Sequence, residues 1–486
     1  MSVTKPPRVS ATRTLRPGLV LGITCTAQFL VIVDETVVNV ALPSISSDLH
    51  FANPSALAWV VGAYMVLFGG FLMLGGRGAD LFGRRKVFVT GLLLFVGSSL
   101  GAGLADTSTQ LIVARAAQGL GAALMSPAAL SLLVATMTDP AKRRQALGLW
   151  GGLSGIAGVS GVVLGGLLTD SVSWRWVFWV NVPIGIVLAA ATLTQLPRDP
   201  GLRESGTSGT KLDWLGGVLI SGGLVLLLYT VINTEHRSWG DSLTIGGLVG
   251  AALLLLAFVL HERRAADPLI RLGIFRHRAV SVANGLMLLA AAGLYGMFFF
   301  TTLYLQLVLG WEPLQAGLAF IPIGVSIAVL SGVAIQLMPR IGARALLVLG
   351  LTTAAAGQLL LLRTTTEGSY VGQMLPALVL SGCGFGLSLV PVINAAVSGL
   401  RRDETGAGSG LINVSQQAGG AIGVAVLAAV ATNQFEKNLA GSTPPAAMLD
   451  GFHTAFTVGA CLTLAAALLA FALPALRKEV DLEAMV

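Results

Sequence analysis

Apolar stretches long enough to cross a bilayer alternate with short polar segments along the whole of this chain. A helix needs about 20 residues to span the ~30 Å hydrocarbon core. Fourteen stretches meet that length: 17–42, 55–76, 87–105, 109–135, 145–168, 175–196, 214–233, 243–261, 279–307, 315–338, 345–362, 371–398, 406–432 and 452–474. The pattern predicts an all-α integral membrane protein. Two longer polar segments divide the spans. Arg198–Asp213, rich in Gly, Ser and charge, follows six of them. Residues 263–278 (RRAADPLIRLGIFRHR) separate two more from the last six. The expected organisation is a six-helix bundle over 1–196, a linker with two extra helices over 197–278, and a second six-helix bundle over 279–486.

The positions of the cations orient the chain. Of its 30 Lys and Arg residues, 25 fall in alternate segments that share one side with the N-terminus. Four (Arg175, Arg237, Arg363 and Lys437) fall on the other side, and Arg115 lies within a span. The positive-inside rule then puts both termini in the cytoplasm; with the high Ala and Gly usage, which suggests a GC-rich bacterium, the expectation is a multi-pass protein of a bacterial cytoplasmic membrane. The basic N-terminal residues Lys5, Arg8, Arg13 and Arg16 precede a run too long and too acidic for a signal peptide, so the first span is expected to be retained.

Composition agrees with this picture. The 486 residues are 54% hydrophobic and 11% charged, against about 25% charged in soluble domains. The net charge of +7 is explained by the inner loops and needs no nucleic acid. Cys25, Cys383 and Cys461 all sit in apolar runs without a Cys-x-x-Cys, so no metal or disulfide is expected. The five histidines lie in loops or near span ends, so a deep proton relay would have to use carboxylates.

Two such carboxylates, Asp34 and Glu35, stand inside the first span. A charge near the bilayer centre costs roughly 2.5–3.5 kcal/mol on insertion scales, so both should face protein or a wet cavity. At about 100° per residue, Glu35 shares a polar stripe with Thr24, Gln28 and Asn39. Asp34 lies to one side, with Ala27, Val31 and Val38. Periodicity alone points Glu35 at the cavity. Arg115 is the obvious partner for either acid, and a pair that only fixes helix packing is the structural alternative to a proton switch. No acid falls inside any of the last six predicted spans. There Tyr295, Phe298, Phe299, Phe300 and Tyr304 crowd one span, and Asn284, Asn394, Asn413, Gln416 and Gln417 are candidates for lining a path. Glu312, beside Trp311, is expected to be a solvated loop acid.

Gly76–Lys86 (GRGADLFGRRK) places Asp80, Gly83, Arg84 and Arg85 in a tight turn between two spans. Glycine permits the bend, the cations meet the inner surface, and Asp80 can cap or pair with a helix end. This turn resembles the signature of the major facilitator superfamily. MPRIGAR (338–344) is a weaker copy, with Gly342 and Arg344 at the places of Gly83 and Arg85 and Pro339 at that of Asp80. A degraded second copy is what two repeated halves would leave. VDETVVNVALP (33–43), LIVARAAQGLGAA (111–123), WRWVFWVNVPIG (174–185), LDWLGG (212–217), YLQLVLGWEPLQAGLAFIP (304–322) and GAGSGLINVSQQAGGAIG (406–423) are similar to segments of the fourteen-span drug:proton antiporters, the EmrB/QacA-like group. The resemblance implies a major facilitator fold of two six-helix bundles plus two extra helices, with the functional acid at Asp34. Most members of the group carry a small or neutral residue where Glu35 stands. The glycine-rich antiporter motif of span five is kept at Gly161, Gly165 and Gly166 but lacks its proline.

The resulting expectation is a proton-coupled antiporter exporting amphipathic, cationic drugs by alternating access. Asp34, Glu35 and Arg115 would couple protons. Glu35, Gln28, Asn39, Tyr295, Phe299, Asn394 and Gln416 would meet substrate, and Asp80, Gly83, Arg84, Arg85, Gly161 and Gly165 would serve the conformational switch. Protons, lipid and a small substrate would be its partners, and a monomer with no cofactor its working form. An exporter of one metabolite, lipid or siderophore on the same fold, and a non-transporting membrane sensor, are the alternatives. The chain has no P-loop, its one G-x-S-x-G (Gly97–Gly101, GSSLG) falls inside an apolar span rather than on a strand-to-helix turn, and its loops are too short for a catalytic domain.

Overall fold

The computed structural model describes residues 17–51, 54–137, 139–196, 212–235, 237, 240–400, 405–439, 441 and 443–474. The linker 198–211, the N-terminal cations, Arg401, Arg402, Arg477 and Lys478 lie outside the described residues. Among the described residues there is no strand, and the long helices follow the predicted spans. They are α1 (Pro17–Asp48), α2 (Pro54–Phe82), α3 (Arg84–Gly103), α4 (Ser108–Thr136), α5 (Pro140–Ser171) and α6 (Trp176–Trp179 continuing as Asn181–Gln195). Next come α7 (Trp214–Ile232), α8 (Ser242–Arg264) and α9 (Arg278–Leu303, with a wide turn at Tyr304–Val308). The last are α10 (Pro313–Leu318 and Ile321–Ile341), α11 (Ala343–Leu360), α12 (Tyr370–Met374 and Leu375–Val397), α13 (Thr405–Leu439) and α14 (Pro444–Ala470). Thirteen of these are long and apolar enough to cross a membrane, and the described apolar part of α5, Ile156–Ser171, is shorter. The protein is a multi-pass membrane protein.

Several helices run past their predicted edges, the last two by the most. α13 runs on to Leu439 and α14 begins at Pro444, a favoured first-turn position for proline. The expectation of no acid within the last six spans is thereby corrected: Glu436 and Asp450 lie in these helices near the connection between them. The Asn438 side-chain amide donates to Asp450 at 2.8 Å, so that acid is satisfied at the helix end. The apolar count missed these turns because they are polar; no breaker stops the helix there.

α2 and α3 both pack on α4, α1 packs on α5, and α6 closes against α3. Later in the chain α9 packs on α13 and α14, while α12 takes α10 and α11. The broadest contacts between these groups are α2 with α13 and α5 with α10. α7 and α8 pair, and α7 lies over both α2 and α13.

One local device occurs twice. Gly83 and Gly342 have φ of 95° and 85°, a region where a side chain is strained, and each opens the following helix. Two residues on, Arg85 donates to the Leu193 carbonyl at the end of α6, and Arg344 donates to the Leu473 carbonyl beyond α14. A cation on the free carbonyls of a helix C-terminus is favourable. The weaker copy at 338–344 therefore keeps the two residues that do this job. The Asp80 position, filled by Pro339, is not needed for it.

Candidate transport site

Asp34 is fully buried within the first group of helices. Its Oδ2 accepts from Arg115 Nη1 at 2.7 Å. Its Oδ1 accepts from Gln118 Nε2 at 2.6 Å and from Asn181 Nδ2 at 2.8 Å. Arg115 is held as tightly. Nε donates to the Val60 carbonyl at 3.0 Å, and Nη1 also reaches Gln118 Oε1 at 2.7 Å. The guanidinium lies 4.4 Å from the centre of the Tyr64 ring. Gln118 continues to Ser99 Oγ at 2.7 Å. Five helices thus meet at one buried ion pair: α1, α2, α3, α4 and α6. A buried charge pair is tolerated when its remaining lone pairs and protons find partners; both Asp34 oxygens do, as do Arg115 Nε and Nη1.

Glu35 points elsewhere. One residue further round α1, its Oε1 accepts from the Tyr295 hydroxyl of α9 at 2.8 Å. Gln416 Nε2 of α13 reaches that hydroxyl at 3.4 Å, and Gln417 comes within hydrogen-bonding reach of Glu35 itself. Asp34 faces inward to its own group, and Glu35 faces the other group. Asn39 sits one turn on, its amide 3.4 Å from the Glu35 carbonyl. Gln28, two turns before, accepts from Ser126 of α4 at 3.1 Å.

Other candidates fall apart from this centre. Phe299 is fully buried edge-to-face on Phe300, inside the core rather than beside Glu35. Phe298 stacks on Phe320 of α10, with ring centres 5.1 Å apart. Asn394 meets the Met338 sulfur between α12 and α10. Asn284 accepts from Ser415, and Asn413 turns back to its own helix. Asp80 is exposed at the end of α2, and Glu312 is exposed at the start of α10. Gln118, Asn181, Ser99 and Tyr64 were not singled out from the sequence. Gln118 and Asn181 lie in the segments LIVARAAQGLGAA and WRWVFWVNVPIG, where a lone amide in an apolar run was the available signal.

The glycines of α5 pack on α1 around the two acids. A Cβ at Gly161 would stand 2.0 Å from Thr36 Oγ1, and one at Gly165 would stand 2.4 Å from the Val37 carbonyl oxygen. α5 has no internal proline among its residues and stays one helix. The close approach, rather than a kink, is what the surviving glycines provide. Gly165→Ala is expected to push α1 from α5 at a cost of about 1–3 kcal/mol. Gly158→Ala, with nothing within 4 Å, should be near neutral. Thermal unfolding of the two variants in detergent checks this.

A family model described as Major Facilitator Superfamily matches residues 24–424, which takes in both acids, Arg115 and the α9 and α13 partners of Glu35. The chain belongs to the major facilitator superfamily. Its members are transporters rather than enzymes. The chain is 42% identical over 447 residues to the puromycin resistance protein pur8 of Streptomyces alboniger, covering 91% of this chain and 88% of that one. It is 40% identical over 480 residues to the cephamycin export protein CmcT of Amycolatopsis lactamdurans, covering 98% and 96%. Among solved structures it resembles the inward-open xylose transporter XylE from E. coli, with a TM-score of 0.63 at 16% identity over 96% of this chain and 99% of that one. That likeness extends the fold assignment to nearly the whole chain.

Proposed function

We propose that this protein exports amphipathic drugs, cations among them, in exchange for protons. The observation that carries the reading is the division of labour between adjacent acids on α1. Asp34 closes an ion-pair cluster inside one helix group, and Glu35 reaches across to the other. The two relatives named for puromycin resistance and cephamycin export support drug efflux. The proton gradient supplies the energy, and no cofactor or nucleic acid enters the scheme. The working unit is a monomer in lipid, divided at 1–196, 197–278 and 279–486 into two six-helix bundles and a two-helix insert, with both termini cytoplasmic and fourteen crossings.

In this scheme a proton arriving at Asp34 neutralises it. Arg115 then keeps the Val60 carbonyl, the Gln118 oxygen and the Tyr64 ring, and loses its counter-charge. The new O–H needs an acceptor. Asn181 Oδ1 is buried without a donor, and a turn of that amide would present it. The change is passed along one residue of α1 to the Glu35–Tyr295 contact. That contact, the Gln306–Val40 hydrogen bond and the close approaches Gly166–Leu314, Gly317–Val162 and Gly324–Val159 join the groups from mid-membrane to the side away from the α2–α3 turn. In the proposed orientation this is closure toward the outside. A cationic substrate entering from the cytoplasm would compete with Tyr295 for Glu35. Cation–π and charge attraction would act together there.

Tyr295→Phe removes the hydroxyl that crosses between the groups and leaves the ring. Substrate cations should then bind Glu35 without displacing a donor, while closure toward the outside weakens. The expected result is tighter or unchanged ethidium binding with slower transport, read by fluorescence binding and by efflux from loaded vesicles. Equal losses of binding and transport would count against the assignment.

A narrower reading has one observation in its favour. The relative named for cephamycin export covers nearly the full length of the chain. A transporter serving one compound would leave most dyes and antibiotics untouched when expressed in a drug-sensitive host, whereas the proposed activity lowers susceptibility to several.

A further inference from the structure

A second pair of carboxyls lies outside the transport site, where α7 and α8 meet at the face of the α2–α3 turn. Asp213 caps α7: its Oδ1 accepts from Gly216 N at 2.8 Å and from His261 Nε2 at 2.8 Å. Glu262 of α8 accepts the Ile270 backbone N–H on Oε2 at 3.0 Å. Both groups are buried, the Glu262 residue at 4% exposure and the Asp213 side chain at 7%. Each keeps one buried oxygen, Asp213 Oδ2 and Glu262 Oε1, with no hydrogen-bond donor. These two oxygens converge over Gly216, 2.7 and 2.6 Å from where its Cβ would stand, and the carboxyls are within hydrogen-bonding reach of each other. Two facing acceptors removed from water, with no donor between them, repel; one proton turns the repulsion into a strong O–H···O⁻ bond.

We propose that Asp213 and Glu262 share one proton, and that this proton-binding site fastens the 265–277 connector across the seam between the two helix groups. The connector touches both sides. Its Asp267 pairs with Arg77 of α2 at 3.5 Å, while Ile270 and Ile274 pack with Phe258 of α8, Val280 of α9, Leu411 of α13 and Met73 of α2. Glu262 holds it through the backbone N–H of Ile270, itself a buried member of that cluster. The charged groups facing Glu262 are Asp213 from α7 and His261 from α8. Arg263, Arg264 and Arg271 point to solvent. With the proton in place the carboxyls hold together and the connector is fixed. As pH rises the proton leaves, the pair separates, and the Ile270 anchor goes with it. In the proposed orientation the proton comes from the cytoplasm, so the insert would loosen α2 from α9 and α13 in an alkaline cell interior. Nothing in this requires Asp34 or Glu35 to couple transport.

The test is hydrogen exchange of the 265–277 backbone in the full-length protein in lipid nanodiscs, without substrate, from mildly acidic to mildly alkaline pH. After correction for intrinsic exchange, wild-type protection should fall by roughly tenfold per pH unit once opening releases a proton. Glu262→Gln supplies a permanent donor and should give protection independent of pH, while His261→Gln should keep the wild-type slope. A flat wild-type profile, or a slope lost in His261→Gln and kept in Glu262→Gln, overturns the proposal. If Glu262→Gln does not fold, infrared difference spectra of wild type and Asp213→Asn decide. The carboxylic-acid carbonyl band that titrates in wild type should vanish in Asp213→Asn and survive in Asp34→Asn. Its persistence in Asp213→Asn excludes a shared proton.

Discussion

Asp34→Asn is expected to abolish pH-gradient-driven efflux while leaving a folded protein that still binds cations. The asparagine occupies nearly the same volume and its Oδ1 can still accept from Arg115, so the five helices keep their meeting point, although the buried Arg115 charge loses its counter-charge and the fold is destabilised by up to roughly 3–5 kcal/mol. What is lost is the charge that a proton can cancel. Glu35, with its separate partner Tyr295, remains available to substrate. Vesicles carrying the variant should show ethidium binding near wild type and no accumulation when a pH gradient is imposed. Uphill transport at wild-type rates would remove Asp34 from the coupling step and leave Glu35 as the only acid of the pair to carry it.

Arg115→Leu should have the largest effect on stability. It strands the Asp34 carboxylate at full burial, and breaking one side of a buried pair costs roughly 3–5 kcal/mol. The Val60 carbonyl and Gln118 oxygen lose their donor as well. The double variant Asp34→Asn/Arg115→Leu should recover much of that loss, because no unpaired charge remains, though it stays inactive. The measurement is a double-mutant cycle on thermal unfolding in one detergent. A double variant as unstable as Arg115→Leu alone would mean that packing around the guanidinium, rather than the stranded charge, sets the cost.

Much of this was readable before any coordinates. The apolar runs placed the helices because a membrane helix must be apolar over its full length. They failed where a helix continues into polar residues, as at Glu436, Asp450 and Glu262. Helical geometry separated the directions of Asp34 and Glu35, and Arg115 was the right partner for the former. Gln118, Ser99 and Asn181 were not legible, since each is one polar residue in an apolar run and acquires meaning only beside Asp34. Phe299 illustrates the opposite difficulty. In a run of three phenylalanines no pattern tells which ring faces a path, and the structure buries it against Phe300. The Asp213–Glu262 pair joins positions far apart in sequence, one of them just past a predicted span edge.

The most direct test of the antiport reading is proton release. Ethidium or tetraphenylphosphonium is added to purified wild type, Asp34→Asn and Glu35→Gln in weak buffer, and the pH change is recorded. The account predicts release from wild type and none from Asp34→Asn, with Glu35→Gln binding the cation more weakly but still releasing protons once it is bound. Undiminished release from Asp34→Asn, or no release from wild type on saturating cation, would contradict it.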